Sequence, residues 1–76
     1  MNNDKISKAI KNVEGSSRET FVGFYESKDD FAIAWALEGM KIPFDDLKNH
    51  DIKNISKKLF DKFVFDKDTG AVFAPF

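Results

Sequence analysis

The chain has 76 residues, a net charge of -1, nine Phe, one Trp, one Tyr and no Cys. A length this short means one domain, 1–76, which buries about 60% of its unfolded surface and therefore needs a dense, aromatic core. The composition excludes a disulfide framework and a thiolate metal site, and no run of about 18 apolar residues is present to span a bilayer.

The opening MNNDKISKAIKNVEG is polar and helical in pattern rather than basic and then apolar. No secretory leader is expected, which makes the cytoplasm the default location. Ile6, Ala9, Ile10 and Val13 recur at i, i+3, i+4, i+7, one stripe of an amphipathic helix. Asn3 can cap its start, and Gly15 can end it in the left-handed conformation. Thr20–Tyr25, TFVGFY, is short and rich in β-branched and aromatic residues, which predicts a strand. Ser27 then offers a helix N-cap, with Asp29 and Asp30 in the first turn, where the helix dipole favours negative charge.

The helix so opened, Ser27–Met40, is apolar on two sides. Phe31, Ala34 and Trp35 fall on one, and Ile33, Ala36, Leu37 and Met40 on the other. Either it lies between a sheet and the other helices, or Ile33, Leu37 and Met40 form a dimer or docking face. Gly39 ends it, and Pro43 blocks continuation. KIPFDDLKNH is a connection with room for one helical turn near Asp45–Lys48. Asp51 caps a third helix with the stripe Ile52, Ile55, Leu59, flanked by Phe60 and Phe63. Finally, Phe63–Phe65 and Ala71–Phe73 flank DKDTG, a hairpin turn with Gly70 available for positive φ. The predicted fold is α+β in the order α-β-α-α-β-β, a small, three-stranded, largely antiparallel sheet with about three helices.

Candidate chemistry is sparse. His50, the single histidine, stands near Asp45, Asp46 and Asp51, but one imidazole without thiolates is a weak metal set. DKDTG begins like a calcium loop with its glycine one residue early, so the hairpin turn is the better reading. Asp29 and Asp30 project about 100° apart on a helix, unlike paired acid–base carboxylates. No enzyme, metal or cofactor is expected. Lys48, Lys53, Lys57, Lys58, Lys62 and Lys67 make the last third basic, yet the single Arg and the placing of Phe on core stripes favour a solvated face over direct nucleic-acid binding.

Charge is unevenly spread. Residues 1–18 and 47–76 each carry +2, whereas residues 19–46 carry -5. That middle block holds Glu19, Glu26, Asp29, Asp30, Glu38, Asp45 and Asp46, an acidic surface suited to a basic partner.

The run ETFVGFYESKDDFAIAW, then IPFDDLKN, then IKNISKKLFDKFVFD and GAVF, resembles the ArdA-type antirestriction proteins. The matching positions are Tyr25, Ser27, Asp30, Phe31, Ala32, Ile42, Pro43, Leu59, Phe63, Phe65, Gly70, Val72 and Phe73, within about residues 19–74, one antirestriction-like module. The resemblance implies a phage or mobile-element protein that inhibits type I restriction–modification enzymes as an elongated dimer, its carboxylates standing where DNA phosphates lie. It implies a nuclease subunit as partner, with no catalysis and no cofactor. With a net charge of -1, such mimicry falls to the acidic block. Alternatively, the module inhibits another defence system, such as a CRISPR effector, through an ordinary protein interface, or serves as a small dimerising binding module.

Overall fold

A computed structural model describes residues 2–75. The elements are α1 (Asn2–Asn12), β1 (Phe21–Phe24), α2 (Lys28–Glu38), a 3-10 turn (Phe44–Asn49), α3 (Ile52–Leu59), β2 (Val64–Phe65) and β3 (Ala71–Phe73). The strands form one antiparallel sheet in the order β1-β3-β2. This is the α+β fold the sequence predicts.

β3 is the central strand, and all three of its residues are buried. Alternation sends Ala71 and Phe73 to one face and Val72 to the other. On the first face Ala71 and Phe73 meet Ala9 of α1, with Ile10, Val13, Phe21 and Phe24 packed around them. The amphipathic stripe of α1 covers this side. On the second face Phe65 pairs with Val72 in register, and its ring packs 6.1 Å from that of Phe60.

Phe31 of α2 is the hub of this second core. Its ring lies 5.0 Å from Tyr25, 5.3 Å from Phe63, 5.5 Å from Phe60 and 6.1 Å from Trp35. The middle layer is thus the sheet, with α1 on one side and α2 and α3 on the other. Helix α2 is not sandwiched. Its buried residues are Phe31, Ala32 and Ala36, and it packs on α3, whose buried residue is Ser56. Small side chains at such a contact let two helix axes approach closely. Ala36 therefore belongs with Ala32 on the inner side, not with Leu37 and Met40. Ile33 and Leu37 are half-buried, and Met40 is 49% exposed.

The turn chemistry follows local rules. The Ser27 side chain accepts from the Asp30 N–H, and the Asp51 side chain from the Asn54 N–H, so both predicted caps form. Helix α1 already includes Asn2, and the Asn3 side chain assigned to cap it lies outside the described residues. Gly15 has φ +87°, as a left-handed terminator requires. At the end of α2, however, Gly39 is right-handed with φ -83°, and the left-handed turn falls on Lys41 at φ +59°. The chain folds back there, and the Ile42 N–H donates to the Ala36 carbonyl at 3.0 Å.

Candidate functional site

Helix α2 and the 3-10 turn position most of the acidic block. At the start of α2, the Ser27 hydroxyl both accepts from the Asp30 N–H at 3.2 Å and donates to Asp30 Oδ2 at 3.1 Å. This reciprocal arrangement resembles a capping box and fixes the first turn. Asp29 meets Lys53 of α3 at 3.2 Å. Glu26 and Asp29 line an open groove of about 430 Å³ with Phe65 and Lys67, and Glu26 borders a second groove beside Lys5 and Lys67. Lysines from both ends of the chain therefore stand among the carboxylates here.

Glu38 lies at the other end of α2, beside Val22 and Trp35, about 15 Å along an 11-residue helix. Asp45 and Asp46 occupy the first turn of the 3-10 segment. Asp46 accepts from Asn49 Nδ2 at 2.7 Å and lies 3.2 Å from His50 Nε2. The Asn49 hydrogen bond, then that of His50, holds the Asp46 carboxyl below the usual carboxylate range. His50 thus serves one carboxylate, and among the described residues no group of three His, Cys, Asp or Glu side chains is placed to hold a metal ion.

All seven block carboxylates reach the surface. Glu19, Glu26, Asp30, Glu38 and Asp45 are exposed, and Asp29 and Asp46 are half-exposed. Among the described residues the first five make no ion pair, so their charge is not offset by a bonded cation.

A second surface is apolar. Trp35 is 40% exposed, Met40 49% and Phe44 79%. Trp35 and Phe63 form the wall between two shallow grooves of about 480 Å³ each. Of the residues assigned to a docking face, Met40 lines one of these grooves, while Trp35, placed on the other apolar side of the helix, is central to both.

One polar network was not anticipated from the sequence. Asp66 is buried in the hairpin turn, where it accepts from Thr69 Oγ1 at 2.6 Å, Asn12 Nδ2 at 3.1 Å and the Asp68 N–H at 3.2 Å. Burial alone would push the Asp66 carboxyl up, but these donors outweigh it and hold it low. Asn12 also donates to Asp68 at 3.1 Å, and Lys8 pairs with Asp68 at 3.1 Å. The hairpin is thereby tied to α1, a structural role. The first Asp of DKDTG was the visible signal, since a leading Asp favours a turn anchored by its own side chain.

No protein-family model, curated protein or solved structure matches this chain. Among the described residues no helix is long and apolar enough to cross a membrane.

Proposed function

We propose that this protein is a non-catalytic inhibitor that binds a defence nuclease, in the first instance a type I restriction–modification enzyme, and presents carboxylates to the basic path the enzyme uses for DNA. The observation carrying this reading is the set of five surface carboxylates, Glu19, Glu26, Asp30, Glu38 and Asp45, that have no ion-pair partner among the described residues. Charges of this kind steer a basic partner and are neutralised on binding. The resemblance to antirestriction proteins supplies the class of partner.

The imitation is short. Duplex DNA carries one charge per ~1.7 Å, so the ~15 Å length of α2 corresponds to about nine phosphates. Three of the seven block carboxylates, Asp29, Asp30 and Glu38, lie on α2, and Asp29 is paired with Lys53. One copy replaces less than half a turn of duplex.

The test is cleavage by a purified type I enzyme with and without the protein. Reversing Asp29, Asp30, Asp45 and Asp46 to Lys should abolish inhibition while circular dichroism stays unchanged. Undiminished inhibition by a folded variant contradicts the acidic-surface reading. A second reading, docking to another defence effector through an ordinary protein interface, is favoured by the exposure of Phe44, Met40 and Trp35. Inhibition of a different effector that survives the four reversals would support it.

A further inference from the structure

Helices α2 and α3 pack against each other, and a channel between them stays open to the outside. Trp35 of α2, Met40 just past its end, Ile55 and Leu59 of α3, and Phe63 in the turn that follows line a groove of about 480 Å³. Ile55, Leu59 and Phe63 are half-buried, whereas Trp35 and Met40 are exposed. A shallow apolar channel between two packed helices is the shape into which a third, amphipathic helix lays its apolar side. Tryptophan at such a contact is the residue expected to carry much of the binding.

The rim of this groove has one sign of charge. Among the described residues its charged side chains are Lys58 and Lys62, and no carboxylate lies with them. Helix α3 ends at Leu59, but the Phe63 N–H donates to the Leu59 carbonyl at 2.8 Å, a further helical turn that keeps Lys62 on the same rim as Lys58. Both lysines are exposed, and neither forms an ion pair among the described residues. The dipole of α3 accounts for Lys58 in its last turn, but not for Lys62 beyond it. Two free ammonium groups beside an apolar channel select a segment with carboxylates next to its apolar anchors. A nucleic-acid strand fits less well, because it needs a cationic groove along its phosphates, and the floor here is apolar.

We infer that this groove is the docking site for an acidic amphipathic helix of another protein, its apolar anchors set among Trp35, Met40 and Leu59 and its carboxylates on Lys58 and Lys62. None of the seven carboxylates proposed to face the nuclease lines the groove, and it attracts the opposite charge, so it is a separate site. It gives the Trp35 and Met40 surface a partner chemistry that the second reading leaves open. Its test uses no nuclease and no effector, so either can fail without the other.

Trp35 is the single Trp, so its emission reports directly on the groove. The probes are displayed libraries of helical peptides without Trp, about 16 residues long, with Leu, Ile, Met or Phe at i, i+3, i+4 and i+7. The flanking positions are filled by Glu in one library, by Gln in a second and by Lys in a third. Selected on the full chain, the Glu library should yield binders about tenfold or more tighter than the Lys library, and each should move Trp35 emission to the blue as the ring leaves water. Lys58→Glu with Lys62→Glu changes only exposed side chains and should keep the fold by circular dichroism, while inverting the order in favour of the Lys library. Equal binding by the Glu and Lys libraries, no response of Trp35 to any selected peptide, or an order that the double variant leaves unchanged rejects the site. Tighter binding of an oligothymidylate also rejects it and assigns the groove to nucleic acid. Trp35 emission that varies with protein concentration alone rejects it in favour of a second copy.

Discussion

Replacing Phe31 with Ala tests the second core most severely. Phe31 is 3% exposed and its ring meets those of Tyr25, Trp35, Phe60 and Phe63. Deleting such a ring leaves a cavity between two helices and the sheet, at a cost of about 3–5 kcal/mol. A domain of this length holds roughly 4–11 kcal/mol in all, so Phe31→Ala should be close to unfolding at room temperature. Phe31→Leu keeps much of the apolar volume and loses the ring-to-ring geometry, so it should cost about 1–2 kcal/mol. Urea unfolding, followed by circular dichroism and by Trp35 fluorescence, separates the two variants. With a slope near 1 kcal/mol per molar for so small a protein, Phe31→Ala should lower the midpoint by several molar. A loss below about 1 kcal/mol would mean that Phe31 does not hold α2, α3 and the sheet together.

Two further substitutions probe the hairpin. Gly70 has φ +81° and a Cβ there would stand 2.5 Å from the Tyr25 carbonyl oxygen, whereas a Cβ at Gly15, φ +87°, meets open space. Gly70→Ala should therefore cost well over 2 kcal/mol and Gly15→Ala about 1 kcal/mol in thermal melts; equal losses would contradict the close approach at Tyr25. The Asp66 carboxyl is held below its ordinary 3.8, so the unfolded chain binds the proton more readily. The stability it contributes is fully present above that ordinary value and is lost as pH falls through the lowered one. Asp66→Asn should flatten this part of the acid-unfolding curve, and an unchanged slope would show that Asp66 is not the group responsible.

The sequence reveals much of the local structure because caps and turns depend on one or two residues. Ser27, Asp51, Gly15 and Gly70 each act at the position their chemistry demands. What it does not reveal is which apolar side meets which layer. Helix α2 is apolar nearly all round, so its periodicity gives no single inward direction, and the contribution of Ala32 and Ala36 comes from their small size against α3. Trp35 shares a side with Phe31 in the sequence pattern, yet it is far more exposed because the cluster of rings ends there. The acidic block was visible as a run of composition, but lysines distant in sequence are brought beside it by folding. Lys53 reaches Asp29 from α3, and Lys5 and Lys67 flank Glu26. No local pattern encodes those neighbours.

The most direct measurement is the dependence of nuclease inhibition on salt. If carboxylates standing in for phosphates provide the binding, the inhibition constant should weaken by an order of magnitude or more between about 50 mM and 200 mM salt. A constant unchanged across that range would contradict binding through the acidic surface.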